Sequence, residues 1–358
     1  MATEKQSDAT RPVRSGEELD AERLSAYLAE HLPEFGGALT VEQFPRGFSN
    51  LTYLVRLGES ELVLRRPPLG AKIKTAHDML REYRVLSGLS KVGARVPRPL
   101  LACEDETVLG APFYIMERVR GVILRDKPPA GFDAATANRL AHSFAGNLAG
   151  LHQLDYRAAG LSELGRPEGY VRRQVEGWAQ RYLNAKTDDL PEVERAFAWL
   201  GENLPPEHAG ALIHNDYKYD NIVLAENDLT RIVAVLDWEM ATVGDPLMDL
   251  GTTLGYWVEA NDPDVWQLTP TALTARPGSL TRRELAESYA AASGADLSNL
   301  VFYYVYGLCK IAGIAQQIYY RFQQGHTRDP RFAGLIHWVR ACGQLATRAI
   351  ELQRIDDL

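Results

Sequence analysis

The segment from Ile213 to Asn221 reads IHNDYKYDN, and an apolar run, a turn and a second apolar run carry the chain on to Asp237. Reduced to its chemistry, this is H-x-D-x-x-x-x-N, a hairpin and an aspartate. Phosphoryl transfer needs such a set. One carboxylate orients the attacking hydroxyl and takes its proton, and hard oxygen ligands hold a divalent cation on the nucleotide phosphates. Asp216 answers the first requirement. Asn221 and Asp237, brought together by the intervening hairpin, answer the second and would bind Mg2+. Lys218, two residues after Asp216, would meet the transferring phosphoryl group. His214 reads as a residue that packs this loop, and the other histidines show no ligand spacing.

Two kinds of element must position these side chains. Residues 20–31 carry apolar residues at helical spacing (Leu24, Tyr27, Leu28). From residue 39 the period changes to that of strands, over 39–44, 52–57 and 61–66, the last two joined by a Gly58-Glu59-Ser60 turn. A helix is expected over 78–89, with Thr75 as its cap and Met79, Tyr83, Leu86 and Leu89 as its apolar stripe. Strands over 100–104 and 113–119 follow. Beyond Gly121 the pattern is helical over 134–154, 170–184, 191–203, 249–259, 282–293, 297–324 and 331–353. One β pair, 222–224 with 231–236, interrupts it. Asp245 before Pro246 can start a helix, and Asp245 and Asp249 read as capping and loop-bracing residues. The pattern predicts an α+β fold of two lobes, a small antiparallel sheet joined to a larger, mostly helical lobe. Its expected divisions are a disordered tail over 1–16, a β-rich lobe with a leading helix over 17–119, and a helical lobe over 120–358.

Composition narrows the reading further. The 358 residues hold 39 Lys+Arg against 47 Asp+Glu, a net charge of −8, with 46% hydrophobic and 24% charged residues. That excludes whole-chain disorder and offers no phosphate-seeking surface for nucleic acid. Cys103, Cys309 and Cys342 lie far apart, so a disulfide scaffold or structural zinc is not expected. The polar N-terminus has no apolar h-region, and the most apolar run, 300–309, is half a membrane span. A cytoplasmic, soluble chain without a membrane partner is the expectation. Neither a G-x-S-x-G elbow nor a Walker lysine motif is present, which leaves hydrolase and P-loop readings without support.

Six segments carry a resemblance to a known family. They are GFSNLTY (47–53), LVLRRPP (62–68), REYRVLSGL (81–89), FYIMERVRG (113–121), LIHNDYKYDN (212–221) and VLDWEMATVGDPLMDLG (235–251). Over about residues 35–340 the chain resembles the aminoglycoside phosphotransferase (APH) family of the protein-kinase-like superfamily. Within it, the chain is most similar to the domain that precedes acyl-CoA dehydrogenase modules in some fusion proteins.

The resemblance implies a protein-kinase-like fold, ATP and Mg2+ as cofactors, and further site residues in the small lobe. Gly47 to Asn50 would form the turn over the ATP phosphates, with Ser49 and Asn50 as binding positions. Strand alternation puts Val63 and Arg65 on one face, Val63 to cover the adenine and Arg65 in place of the phosphate-holding lysine of kinases. Glu82 would orient Arg65. The Glu117 carbonyl and Val119 amide would bond the adenine edge. The six residues 238–243 are too few for a kinase activation segment, which favours a small hydroxylated acceptor. Aromatics over 300–320, Trp178 and Tyr182, with Arg172, Arg173, Arg181, Lys186, Lys310 and Arg321, suggest an anionic acceptor with an apolar portion. The resemblance points to a hydroxyacyl-CoA and to partnership with an acyl-CoA dehydrogenase. The alternative is a catalytically idle kinase-like module that binds a nucleotide or acyl-CoA, suggested by Arg65 alone.

Overall fold

The computed structural model describes residues 10–45, 50–68, 78–125, 127–267, 269–327 and 329–358. The small lobe is built on α1 (Ala21–His31), β1 (Leu39–Gln43), β2 (Leu51–Leu57), β3 (Ser60–Arg66), α2 (Met79–Lys91), β4 (Pro99–Cys103), the short α3 (Glu106–Leu109) and β5 (Phe113–Glu117). The five strands form one antiparallel sheet in the order β1-β2-β3-β5-β4. Alternation along β3 divides its neighbours. Leu62 and Leu64 join a core with Leu24 and Leu28 of α1 on one face, and Val63 joins the main core with Met79 and Val85 of α2 on the other.

The cap of α2 is Asp78, whose side chain accepts the Arg81 N–H at 2.9 Å. This replaces the expected Thr75, which lies outside the described residues. Of the expected tail, residues 1–9 also lie outside them, but the rest is not a tail. Arg11 exchanges both backbone hydrogen bonds with Gln43, at 2.9 and 2.8 Å, because β1 is an edge strand whose free backbone groups accept a further segment.

The large lobe comprises α4 (Ala134–His152), α5 (Tyr170–Ala185), α6 (Pro191–Glu202), β6 (Ala211–Ile213), β7 (Ile222–Ala225), β8 (Asp228–Val235), β9 (Thr242–Gly244), α7 (Pro246–Tyr256), the short α8 (Asp264–Gln267), α9 (Arg282–Ser293), α10 (Leu300–Gln323) and α11 (Leu335–Leu352). The helix expected over 249–259 starts three residues earlier, because Asp245 caps it through the Leu247 N–H at 2.8 Å and Pro246 takes its first turn. Two short β pairs hold the segment from Ile213 to Gly244. β7 pairs with β8, and β6 pairs with β9. The β6–β9 pair is too short to show a period. Among the described residues, no helix is long and apolar enough to cross a membrane.

α10 crosses α7 at close range through glycines. A Cβ on Gly307 would lie 2.0 Å from the Gly251 carbonyl oxygen, and one on Gly251 would lie 2.0 Å from the Tyr303 carbonyl oxygen. Only backbone without side chains allows that approach.

Candidate active site

The loop from His214 to Asn221 alternates like a strand, although only its last residues form a turn of 3-10 helix. Tyr217 and Tyr219 are buried, while Asp216, Lys218 and Asp220 are partly open. Apolar ring burial is what aims the charged residues outward. Tyr217 stacks on Phe144 of α4 with ring centroids 4.3 Å apart, and its hydroxyl donates to the Phe144 carbonyl at 3.1 Å.

The backbone entering the loop is held by a buried carboxylate. Asp249 of α7, fully buried, accepts the His214 N–H on Oδ2 and the Asn215 N–H on Oδ1, both at 2.7 Å. Burial pushes its carboxyl up, but His152, whose Nε2 lies 3.1 Å away, and His214 outweigh that and hold it below the usual range. His214 is structural, as expected. Its Nδ1 accepts the Asp216 N–H at 3.2 Å, which leaves Nε2 to donate to the Leu236 carbonyl at 2.9 Å.

Asp216 Oδ2 receives two contacts. Lys218 Nζ lies 3.0 Å away and Asn221 Nδ2 donates at 2.9 Å. Burial disfavours the Lys218 ammonium, but the Asp216 and Asp220 carboxylates outweigh it and hold its pKa well above the ordinary value. The same ammonium sits 4.8 Å over the Tyr256 ring. Asn221 also donates to the Asp216 carbonyl at 2.8 Å, so its amide nitrogen is committed to the loop and its oxygen is turned the other way. The Asn221 carbonyl accepts the Leu236 N–H at 2.8 Å, which seats Asn221 beside the residue preceding Asp237.

Asp237 is in the left-handed region at φ 65°, and Asn215 at φ 67°. Few non-glycine residues adopt this backbone, and such strain concentrates at working sites. Arg65 joins the two lobes here. Its Nη1 lies 2.5 Å from Glu82 Oε1, and its Nη2 lies 3.0 Å from Asp237 Oδ1 and 3.8 Å from Glu239 Oε2. Burial pushes both carboxyls up. At Asp237 the Arg65 guanidinium, aided by Lys218, outweighs it and lowers the pKa, whereas at the more deeply buried Glu82 desolvation wins and raises it. Asn50 closes the group from the small lobe, donating to Glu239 Oε2 at 2.7 Å.

The structure therefore brings Asn50, Arg65, Glu82, Asp216, Lys218, Asn221 and Asp237 to one cleft. Val63 pairs with Met116 and Leu62 with Glu117, which sets the Glu117–Val119 segment against the same end of β3. The Glu117 carboxylate pairs with Arg98, and its N–H donates to the Arg98 carbonyl at 2.9 Å. Ser49 lies outside the described residues.

The expected acceptor wall is corrected. Phe302, Tyr303, Tyr304 and Tyr306 of α10 are core residues, as are Trp178 and Tyr182, because α10 is packed between α5, α7 and α11. Lys310 is 1% exposed and bonded to Asn215, and Lys186 pairs with Asp189 and Glu194. Lys310 is therefore not available to an anionic acceptor, while Lys186 is engaged in ion pairs at the surface. Glu239, Asn215 and Lys310 carry site contacts that sequence reasoning missed. A sequence signal existed for Lys310, a lone cation inside an apolar run.

The donor set fits a divalent cation. The Asn221 amide oxygen and the second Asp237 oxygen are hard ligands, each with its neighbouring atom already fixed by a hydrogen bond. Among the described residues no group of three or more His, Cys, Asp or Glu forms a metal cluster, so phosphate oxygens or water would complete the shell.

Comparison with known proteins bears on the family and the fold. Acyl-CoA dehydrogenase family member 11 of Rattus norvegicus is 36% identical over 315 residues, covering 86% of this chain and 40% of that protein. The chain thus spans well under half the length of that relative. A solved structure from Ralstonia eutropha, described as an aminoglycoside phosphotransferase, superposes with a TM-score of 0.80 at 30% identity, over 94% of this chain and 99% of that one. The GDP complex of aminoglycoside 2'-phosphotransferase-IIIa shares the fold, with a TM-score of 0.61 at 16% identity, over 91% and 99% of the two chains. The sequence model of the Phosphotransferase enzyme family (APH) matches residues 40–297. The chain belongs to that family.

Proposed function

We propose that the chain transfers the γ-phosphoryl group of ATP to a hydroxyl of a small molecule, with Mg2+ as cofactor. The observation that carries this reading is the meeting of Asp216, Lys218, Asn221 and Asp237 around the β7–β8 hairpin. The Asp216 carboxylate, held by Lys218 and Asn221 on Oδ2 and hydrogen-bonded by the Tyr256 hydroxyl, takes the acceptor proton. As that O–H bond breaks, the acceptor oxygen bonds the γ-phosphorus and the bond from phosphorus to the β–γ bridging oxygen breaks, releasing ADP. Lys218 stabilises charge on the transferring group. Asn221 and Asp237 would hold Mg2+, which supplies charge neutralisation at the phosphate oxygens. Arg65, oriented by Glu82, binds phosphate, Val63 covers the adenine, and the Glu117 carbonyl and Val119 amide bond its edge. Ser49 and Asn50 cover the phosphates.

Within this reading the acceptor is a hydroxyacyl-CoA, and the functional partner is an acyl-CoA dehydrogenase. Similarity to acyl-CoA dehydrogenase family members supports both. Free, buried Cys103, Cys309 and Cys342 support a reducing, cytoplasmic setting. One observation favours a non-catalytic nucleotide binder instead: Arg65 already takes an oxygen of Asp237.

An ATP-consumption screen over hydroxylated acyl-CoAs, amino alcohols and sugars tests the reading. Turnover with any acceptor supports phosphotransfer, and Mg·ATP binding with no turnover supports the idle module. Competition binding tests the acceptor class: CoA-thioester affinity with none for kanamycin-like cations supports it, and the reverse order sinks it.

A further inference from the structure

We infer that Lys310 is a positioning residue for the catalytic loop, its ammonium fixing the left-handed backbone of Asn215 and thereby the aim of Asp216. The inference rests on the phosphotransfer reading for what the loop does, but its geometry stands by itself. Lys310 Nζ donates to the Asn215 carbonyl at 2.7 Å and to Asn215 Oδ1 at 3.1 Å. Asp249 takes the Asn215 N–H from the other side, and Asn215 Nδ2 donates to the Met240 carbonyl at 3.1 Å. Each polar group of Asn215 is therefore engaged, and Asn215 is buried.

A left-handed non-glycine residue relaxes toward ordinary backbone unless its surroundings hold it. Its φ of 67° sits one residue before Asp216, so relaxation would swing the Asp216 side chain out of line. Two acceptors on one residue, the carbonyl and Oδ1, need two donors from one point. An ammonium offers three, and its charge also answers the buried Asp249 carboxylate. The glycine crossing explains how the lysine reaches. Gly307 brings α10 against the Gly251 backbone of α7, and Lys310 follows one helical turn later, two residues along α7 from Asp249 to Gly251. A bulkier crossing would hold the ammonium away from the loop.

The test compares wild type with Lys310→Met, Lys310→Gln and Lys310→Arg by three measurements. These are amide hydrogen exchange over residues 212–221, Mg·ATP affinity by calorimetry, and steady-state ATP turnover with water or the best acceptor found. In the Met variant the His214–Asp216 amides should exchange faster while α1 and the five-stranded sheet keep their protection. Mg·ATP affinity should fall less than kcat, since Asp237 and the small lobe are untouched and Asn221 feels the loop only through its bonds to Asp216. The kcat should fall about 10²-fold, the usual cost of an ångström-scale misplacement, with KM for ATP changing by much less. Gln and Arg, which still donate to Asn215, should recover part of both kcat and loop protection. If the Met variant does not fold, the Gln variant carries the test, with kcat and loop protection falling together. Unchanged kcat, unchanged exchange over the loop, or a uniform loss of protection everywhere overturns the proposal. If the wild type itself neither binds nor turns over Mg·ATP, the phosphotransfer reading fails, while the exchange result still decides whether Lys310 holds the loop.

Discussion

Arg65 of β3 and Asp237 beyond β8 form a hydrogen-bonded ion pair, Nη2 to Oδ1 at 3.0 Å, that ties the sheet lobe to the helical lobe by charge. The same guanidinium holds Glu82 of α2. A lysine in its place is a single point of charge, whereas the planar fork reaches both carboxylates at once. The departure from the kinase lysine thus has a structural consequence. Removing this cation should cost more than removing an ordinary surface charge.

Arg65→Ala should lower the unfolding free energy by about 3–5 kcal/mol, because Glu82 is left as a buried, uncompensated carboxylate. Arg65→Lys should cost less and should weaken Mg·ATP binding. Urea unfolding with calorimetry checks both, and a change for Arg65→Ala no larger than a surface substitution would contradict the assignment.

Asp216→Asn keeps shape but removes the basic oxygen. Turnover should fall about 10²–10⁴-fold, the range that general-base assistance supplies. Mg·ATP affinity should hold. Wild-type turnover in the variant would remove Asp216 from the reaction.

Asp237→Ala should abolish the Mg2+-dependent part of ATP binding while the fold persists, since Arg65 keeps Glu82 as its partner. Calorimetry with and without Mg2+ separates the effects. Identical affinities in the presence of Mg2+ for variant and wild type would take Asp237 out of the metal site.

The pH dependence of stability should carry the signature of Lys310. Burial pushes its pKa from 10.5 down to about 8, opposed by Asp249 and Asp216 and reinforced by Lys218. Between about 8 and 10.5 the unfolded chain keeps a proton that the folded chain has released, so unfolding free energy rises with pH in that window. The full rise is on the order of 3 kcal/mol at about 1.36 kcal/mol per unit. The wild-type minus Lys310→Met difference in unfolding free energy should therefore grow from about pH 7.5 to about pH 10. Parallel curves would show that the burial does not displace the titration.

Gly307→Ala should destabilise by about 1–3 kcal/mol or more, because its Cβ would meet the Gly251 carbonyl at 2.0 Å and push α10 from α7. Thermal unfolding measures this, and a stability equal to wild type would mean the crossing relaxes freely.

The sequence by itself determined the parts whose signal is local. The period of two over β1 to β3, the stripe of α2 and the H-x-D-x-x-x-x-N spacing each report a short stretch of chain. They sufficed to place Asp216, Asn221 and Asp237 around one hairpin and Arg65 on the inward face of its strand. Tertiary structure alone decided the contacts made across distance. Glu239 meets Asn50 from 189 residues away, and Lys310 meets Asn215 from 95. No period encodes such pairs, because they arise from how lobes and helices pack. The aromatic run on α10 shows the same limit from the other side. Its composition fits a pocket wall or a core equally well, and the close approach of α7 through Gly251 and Gly307 is what makes it core. Those helices close around it because burying its rings removes apolar surface from water, an energy set by the assembled neighbours and not by the run itself.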